Sequence, residues 1–389
     1  MSDSITRMFQ KHRVVVCVGA GGVGKTTISA AVGVAAARDG LRALVLTVDP
    51  ARRLANALGL SDIGVDIQEI PVELFIDEHH QDAQPLHVAM LDVKSTFDRI
   101  VRRHAPDDAA YQAIIDNIFY KQASTALAGS QEYMAMERLF EVVHDHDYDL
   151  IVLDTPPSTH ALDFLDAPQR MIDLFDSRAF RLLLRSFRRS RQPIGGLFRP
   201  GSLVMRGLDR FTGIEMFHGL LNFFQAMSST FDGFVARAGE VLQLISSDQT
   251  TFIIVSGCDN GSINEGLFLH RRLRQQALGI GCWVLNRMRS YTVLPPGCGD
   301  DLVAQVEATL SEVDSESSLK SRHQTAEKIA YVSSMLADLT QHDQRLHSRL
   351  IEALPKEELL ITVPRTRDEP TDVAGLCQVA DLLSAGTPT

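Results

Sequence analysis

The sequence predicts a doubly wound α/β fold, in which a mostly parallel sheet is covered by helices on both faces. Three observations support this prediction. Short apolar runs alternate with helical segments, a glycine-rich loop joins the first run to the first helix, and 45% of the 389 residues are hydrophobic. Strands buried on both faces are continuously apolar, whereas the strands of half-exposed antiparallel sheets alternate. A chain of this length and composition can bury a sizeable core.

Seven runs have the composition of buried strands. They span Val14–Val18, Ala43–Val48, Val88–Val93, Leu150–Leu153, Phe252–Val255, Cys282–Leu285 and Leu359–Val363. After the first run, residues 28–37 are rich in alanine and have helical spacing, so the chain opens as strand, loop and helix. Strands separated by helical segments predict a parallel sheet.

Two helical stretches, at about 95–145 and 168–248, interrupt this alternation. Glycine and proline break the second stretch between residues 193 and 201. We expect both stretches to be insertions that form a helical subdomain within one domain spanning residues 1–389. A third stretch, at about 287–355, is also mostly helical in pattern.

A glycine-rich loop follows the first predicted strand and opens the first predicted helix. Its residues are Gly19, Ala20, Gly21, Gly22, Val23, Gly24, Lys25, Thr26 and Thr27. This spacing is that of a phosphate loop, whose backbone N–H groups face the phosphates of a nucleotide. Lys25 is expected to reach the β- and γ-phosphates, and Thr26 to bind Mg²⁺. Thr27 either supports the α-phosphate or is an ordinary first-turn residue.

Two other predicted strands end in carboxylates. Asp49 follows the run at 43–48, and Asp154 follows the run at 150–153. Because ligands of such sheets bind at the carboxyl ends of the strands, both side chains are expected near the loop. We expect Asp154 to hold Mg²⁺ through water, and Asp49 to act with Lys25 in catalysis by orienting the attacking water. Alternatively, either aspartate is a helix cap or a turn residue.

Three segments together resemble the arsenite-pump ATPase family, which includes the eukaryotic ATPase that targets tail-anchored proteins. They are the phosphate loop, the Val-Asp-Pro-Ala stretch at 48–51, and the stretch Asp-Thr-Pro-Pro-Ser-Thr-His-Ala-Leu-Asp-Phe-Leu-Asp-Ala-Pro at 154–168. The resemblance is strong over residues 14–170 and continues beyond them in the order of elements. It implies an ATP- and Mg²⁺-dependent enzyme with a deviant phosphate loop, related to the MinD and ParA positioning ATPases. With one phosphate loop per chain, a homodimer is expected.

The resemblance implies roles for individual residues. Asp49 would be the switch I aspartate that handles the attacking water. Asp154 would open switch II, which runs through His160 and reports the γ-phosphate to the helical subdomain. From composition alone, His160 is one of thirteen histidines and would be structural.

Two further segments correspond to the base-binding part of the family's site. Asn286 ends the predicted strand at 282–285 and matches the asparagine that reads adenine. Pro364 and Arg365 match the second base-contacting segment. Without the resemblance, Asn286 would be interpreted as a strand-ending turn residue.

One loop position departs from the family pattern. Many members carry a lysine at the second position, which reaches the phosphates of the partner subunit, but this chain has Ala20. Such a cation stabilises charge on the transferred phosphoryl group. Arg52 and Arg53, just beyond Asp49, are candidate substitutes. The alternative is that both are solvated surface residues.

The second helical stretch has features that suit a hydrophobic client. Eleven of the eighteen phenylalanines lie between residues 164 and 234, with methionines interleaved. Such surfaces accept apolar helices, although the core of a helical subdomain has the same composition. Residues 178–210 contain nine arginines and a single acid. That segment suits acidic headgroups or a client's flanking charges, or is a solvated loop.

The composition of the chain limits the cellular compartments and the classes of binding partner that we expect. The net charge of −11 argues against nonspecific binding to nucleic acid. Five scattered cysteines, without metal-ligand spacing, favour a reducing compartment and argue against a zinc site. The sequence offers no run of apolar residues long enough to span a membrane. We expect a cytoplasmic protein, with transient membrane association at most.

Three functions follow. The first is an ATP-hydrolysing homodimer that handles a hydrophobic client or works with a membrane protein. The second is the soluble ATPase of an arsenite or anion efflux pump, although the sequence has no recognisable cysteine cluster for a metalloid. The third is a nucleotide-gated positioning scaffold, in which binding matters more than turnover.

Overall fold

The computed structural model describes most of the predicted sheet and part of the helical insertions. It covers residues 4–48, 53–58, 60, 66–76, 80–105, 107–118, 120–121, 130–156, 166–170, 172–173, 231–289, 299–313, 319–366 and 369–385. Asp49, Arg52 and His160 lie outside these residues, as does the stretch at 174–230. The predictions made for them therefore stay predictions.

The described strands form one eight-stranded sheet. They are β1 (Val14–Gly19), β2 (Ala43–Thr47), β3 (Gln68–Ile70), β4 (Leu86–Met90), β5 (Leu150–Asp154), β6 (Thr250–Gly257), β7 (Ile280–Met288) and β8 (Leu359–Pro364). Their order is β3-β4-β2-β5-β1-β6-β7-β8. Every neighbouring pair is parallel except β3 with β4.

Eleven α-helices surround this sheet within the described residues. They are α1 (Ser4–Lys11), α2 (Lys25–Arg38), α3 (Arg53–Ala57), α4 (Val93–His104), α5 (Asp108–Ile115), α6 (Ser130–Asp145), α7 (Phe231–Ile245), α8 (Asn260–Gln275), α9 (Gly299–Val313), α10 (Leu319–Ala353) and α11 (Val373–Ser384). A short 3₁₀ turn spans Val72–Leu74. None of the described helices has both the length and the apolar composition needed to cross a membrane.

The two faces of the sheet pack against different helices. Along β1, Val15 and Cys17 face a core that includes side chains of α1, α2 and α11. Val14 and Val16 face the opposite core, which includes side chains of α6, α7, α8 and α10. This alternation, with all six residues of β1 buried, is what a doubly wound sheet requires.

Small residues allow α2 to lie close to the sheet. The helix is rich in alanine, and twelve of its fourteen residues are buried. A methyl group on Gly33 would run into Val45 of β2 and Leu86 of β4. Close packing of α2 fixes the position of its first turn, which immediately follows the glycine-rich loop.

The predicted fold class is confirmed, and each of the seven predicted runs overlaps a strand. Two details differ. The β3 strand was not predicted, because only one of its three residues is buried and it pairs antiparallel at the sheet edge. The third predicted run, at 88–93, corresponds to β4, which ends at Met90. The strand ends there because Asp92 accepts a hydrogen bond from the Ser95 N–H and caps α4.

The first predicted helical stretch contains α4, α5 and α6, and α7 ends the second. Side chains of these four helices share a third small core, which includes Phe97, Ile114, Tyr133 and Ala238. The stretch at 287–355 contains α9 and α10, as its pattern indicated.

Candidate functional site

The sheet register brings the candidate residues to one edge. Cys17 of β1 pairs with Asp154 of β5, and Gly19 pairs with Val255 of β6. Thr47 of β2 pairs with Asp154 from the other side. The loop after β1 and the ends of β2, β5 and β6 therefore meet at the carboxyl edge, where ligands of doubly wound folds bind.

Glycine is required at two loop positions for steric reasons. A Cβ atom on Gly19 would collide with the backbone carbonyl of Val255. Gly24, at the N-cap of α2, has a left-handed φ of 92°, and a Cβ atom there would collide with the side-chain amide of Asn286. L-residues with side chains rarely adopt this conformation. Because glycine has no side chain, the main chain of the loop is exposed to the space beside it, and a ligand can approach the backbone closely.

Lys25 is fixed across the loop. Its Nζ donates to the carbonyl oxygens of Gly19 at 2.9 Å and Ala20 at 2.8 Å, and the residue is only 7% exposed. Lys25 is also the first residue of α2, so the positive end of the helix dipole adds to its charge. A lysine at a helix N-terminus behind a glycine-rich loop suits phosphate.

Asp154 at the end of β5 is oriented by Thr47, and its neighbour Thr155 ties the strand end to β1. Its Oδ2 accepts a hydrogen bond of 3.0 Å from the Thr47 hydroxyl, and the residue is 1% exposed. The next residue, Thr155, donates from Oγ1 to the Cys17 carbonyl at 2.6 Å. The end of β5 is thereby tied to β1 and β2, which positions a buried carboxylate two residues along β1 from the start of the loop.

A cavity of about 360 Å³ opens beside the loop. It is lined by Gly21, Gly22, Val23, Thr27, Gly257, Cys258, Asp259, Ser262, Asn286, Arg287, Arg289, Val363, Pro364, Arg365, Thr366, Glu369, Pro370 and Val379. Seven of these residues were predicted to bind nucleotide. Gly24, Lys25, Thr26 and Asp154 were also proposed for the site but are not among the lining residues.

Asn286 joins the cavity to the phosphate loop. Its Nδ2 donates to the Val23 carbonyl at 2.8 Å, and its Oδ1 accepts from the Arg287 N–H at 2.9 Å. Only 6% of the residue is exposed. The amide is thus held in one orientation. Arg365 also lines the cavity. Its backbone N–H donates to the Met288 carbonyl at 2.8 Å, which extends the β7–β8 pairing past the end of β8.

Arg287 spans the cavity between two loops. One guanidinium nitrogen donates to the Gly22 carbonyl at 3.3 Å, and another contacts the Glu369 carboxylate at 2.9 Å. Its φ of 59° lies in the left-handed region. Backbone in this region is unfavourable for a non-glycine residue, and such strain clusters at functional sites.

Arg289, on the same side, is anchored from α10. Its N–H and its Nε lie 2.9 Å and 3.3 Å from Oδ2 of Asp343, a fully buried residue. A buried carboxylate beside a guanidinium fixes that guanidinium in place.

The end of β6 contributes residues that the sequence argument missed. Asp259 caps α8 by accepting from the Ser262 N–H at 2.9 Å and from its hydroxyl at 2.6 Å. Burial alone would raise the pKa of Asp259, but hydrogen bonds from Ser262 and Gly261 outweigh it and lower that pKa. Asp259 follows a predicted strand, as Asp49 and Asp154 do, so the same criterion could have found it.

A glycine-rich loop and its lysine at the end of a central strand, with a cavity and a buried carboxylate at the same edge, are consistent with the α/β fold of P-loop NTPases. The model of the anion-transporting ATPase family matches residues 12–293. The chain belongs to that family.

Curated relatives match part of the chain. A putative arsenical pump-driving ATPase of Halobacterium salinarum is 27% identical over 171 residues, covering 41% of this chain and 24% of the relative. An ATPase GET3 of Malassezia globosa is 25% identical over 154 residues, covering 40% and 42%. An uncharacterized protein of Streptomyces coelicolor is 31% identical over 188 residues, covering 47% and 44%. This chain thus spans less than half the length of each of these relatives.

Proposed function

We propose that this protein binds ATP at the phosphate loop, hydrolyses it with Mg²⁺, and acts as a nucleotide-switched homodimer on a hydrophobic client or membrane partner. The observation that carries the proposal is the meeting of the loop, Asn286 and Arg365 around one cavity beside Lys25. Membership of an ATPase family and relatives named as ATPases support the choice of nucleotide and reaction.

The residues at the sheet edge fit a magnesium ion. Mg²⁺ prefers oxygen ligands and usually keeps several waters. Thr26, in the first turn of α2, supplies a hydroxyl, and Asp154 supplies a buried carboxylate that Thr47 orients. When bound, the ion would neutralise charge on the phosphates.

The remaining roles are proposed for the chain's own groups. Lys25 supplies a cation for the β- and γ-phosphates, and Gly21–Thr27 supply backbone and hydroxyl donors. Asn286, Pro364 and Arg365 contact the base. Asp49, which follows β2, orients the attacking water, and His160 transmits the state of the γ-phosphate along switch II.

Phosphate release from ATP tests the enzymatic part of the proposal. We expect Mg²⁺-dependent turnover that falls at least about 100-fold in Lys25→Ala, because a cation facing the transferred phosphoryl group is lost. Lys320→Ala is the matched control, since Lys320 is an exposed lysine of α10. Equal turnover in the wild type and Lys25→Ala would refute the assignment.

A slow-hydrolysis variant tests the client. Asp49→Asn should bind ATP normally but hydrolyse it slowly, and so should retain a client through purification. We expect membrane proteins or apolar segments to copurify in the presence of ATP and to be lost with ADP. Normal ATP binding without such capture would contradict client handling while leaving the ATPase proposal intact.

A second function, driving an arsenical pump, is suggested by the names of four relatives. The described cysteines do not favour it. Cys17, Cys258, Cys282 and Cys377 are buried and not in disulfides, and burial raises the pKa of Cys17 and of Cys258 to about 12. Metalloid ligation needs accessible thiolates. Stimulation of hydrolysis by arsenite would support this function over the first.

A further inference from the structure

A second cavity, of about 300 Å³, lies between α4, α6 and α7 in the helical subdomain. It shares no lining residue with the nucleotide cavity. Four arginines, Arg99, Arg102, Arg103 and Arg237, line it together with two acids, Glu137 and Glu141. Guanidinium groups thus outnumber carboxylates on its walls.

The two outer arginines are engaged at the surface. Arg102 lies 2.8 Å from the Asp108 carboxylate, and Arg103 lies 2.8 Å from that of Asp145. The side chains of both arginines and both aspartates are 44% exposed or more. Exposed ion pairs of this kind contribute little and exchange readily. Both guanidinium groups can therefore turn toward a ligand at the mouth of the cavity.

The inner Arg237 is poorly satisfied. Its side chain is only 16% exposed, and its nearest carboxylate oxygens, on Glu137 and Glu240, lie at 3.5 Å and 3.9 Å. Both distances exceed those of ordinary N–H···O bonds. Among the described residues its guanidinium makes no hydrogen bond, although it stacks over the Phe140 ring at 4.6 Å.

Arg99 is incompletely paired as well. Its side chain is 37% exposed, and one terminal guanidinium nitrogen donates to the Thr96 hydroxyl at 3.1 Å. Within the described structure its buried Nε makes no hydrogen bond and lies 3.4 Å from a carboxylate oxygen of Glu141. That oxygen already accepts a 2.9 Å hydrogen bond from Arg138. Burial, followed by the charge of Arg138, lowers the pKa of Arg99. Buried donors without partners are rare in proteins and call for an explanation.

Glu137 does little to offset this positive charge near neutral pH. It is 3% exposed, and burial raises its pKa to about 7 although Tyr133, Arg237 and Arg103 oppose the shift. A carboxyl group that is partly protonated leaves Glu141 as the main negative charge on the cavity wall. A network formed only for stability would instead pair each buried guanidinium closely.

We propose that this cavity binds a small soluble oxyanion of the phosphate class, with at least two negative charges, and that Arg237 and Arg99 recognise it. Guanidinium forks match phosphate oxygens in bidentate geometry, and a dianion would satisfy the donors that Glu137 and Glu141 leave unused. The volume accommodates a phosphate or a diphosphate, either free or at the end of a small ester.

Calorimetric titration of inorganic pyrophosphate into full-length Lys25→Ala protein tests this proposal. The lysine substitution weakens phosphate binding at the loop, so the remaining heat reports the second cavity. We expect one site, with affinity at least about 10-fold weaker in Arg237→Gln and in Arg99→Gln, since each removes a charged hydrogen bond. Arg345→Gln, on the exposed face of α10, is the control and should bind as Lys25→Ala alone does.

Two further measurements distinguish the possible ligands and control for misfolding of the variants. Glycerol phosphate and inorganic phosphate are titrated separately. Tighter binding of glycerol phosphate would indicate an esterified ligand, and tighter binding of inorganic phosphate a free one. Arg237→Lys keeps the charge but not the fork and should also weaken binding, with thermal unfolding compared for every variant. Absence of pyrophosphate binding, or binding undiminished in the folded Arg237 and Arg99 variants, would overturn the proposal. Neither outcome depends on ATP hydrolysis.

Discussion

The nucleotide cavity and the arginine-lined cavity are built in opposite ways. The first lies at strand ends beside the glycine-rich loop, and Asn286 and Arg289 in its wall are anchored by hydrogen bonds. The second is formed by side chains from three helices, and among the described residues the buried Nε of Arg99 in its wall makes no hydrogen bond. The first cavity therefore depends on the backbone geometry of its loop, whereas side-chain charge determines the character of the second.

The largest effect is expected where backbone shape is changed. Gly24→Ala would place a Cβ atom against the Asn286 amide at a φ of 92°. We expect ATP affinity to fall about 100-fold, corresponding to roughly 3 kcal/mol of strain and displaced contacts. Titration with ATP, alongside thermal unfolding, measures the loss.

Gly239→Ala is the matched control for that substitution. Gly239 lies in α7, where an added methyl group meets nothing within 4 Å. Alanine should stabilise the helix by up to about 1 kcal/mol without changing ATP affinity. Equal ATP affinities for Gly24→Ala and Gly239→Ala would show that ATP binding does not depend on the backbone geometry of the loop.

These differences explain how much the sequence could predict. The strands were predicted because buried strands are continuously apolar, and the loop because Gly19, Gly24 and Lys25 have the spacing of a phosphate loop. Asn286 was assigned through resemblance, and the structure places it against Val23. Arg287 and Arg289 follow Asn286 closely in the sequence, but their spacing matches no motif that would predict a binding site.

The arginine-lined cavity could not be predicted at all. Arg99 and Arg237 are separated by 138 positions and meet only because α4, α6 and α7 pack together. An arginine in a helix usually indicates a solvated residue. The partial burial of Arg99 and Arg237 and their incomplete pairing result from tertiary packing, which no local sequence pattern encodes.

The second-largest effect concerns the charge of that cavity. The pKa of Glu137 is raised from 4.5 to about 7, so its carboxylate destabilises the fold. The folded state then binds more protons than the unfolded state, and this contribution to stability falls as pH rises from about 4.5 to 7. Glu137→Gln should be more stable than the wild type at pH 8 by about 2 kcal/mol, and by much less at pH 5.

Denaturant unfolding at the two pH values measures this difference. Glu240→Gln is the control, because Glu240 is an exposed acid of α7 near the same arginine. Its difference from the wild type should change little with pH. A Glu137→Gln advantage that was equal at pH 5 and pH 8 would show that Glu137 is ionised in the fold without cost.

A smaller effect is expected at Asn286, which we propose contacts the base. Asn286→Ala removes the hydrogen bonds to Val23 and Arg287. We expect ATP affinity to fall about 10-fold and the preference for ATP over GTP to narrow, since one or two hydrogen bonds are lost. Asn264→Ala, an exposed residue of α8, should leave both values unchanged. Unaltered selectivity in Asn286→Ala would remove Asn286 from base recognition.

The smallest effect is expected from the arginines beyond Asp49. Ala20 is buried, and its carbonyl accepts from Lys25, so the second loop position contributes backbone and no cation. If Arg52 or Arg53 supplies the missing charge to the transferred phosphoryl group, Arg52→Ala or Arg53→Ala should lower turnover by about 3- to 10-fold while sparing ATP binding. Arg53 begins α3, directly after the segment that contains Asp49. Steady-state kinetics with both variants measures this split, and unchanged turnover in each would mean that the chain hydrolyses ATP without a substitute for the family's lysine.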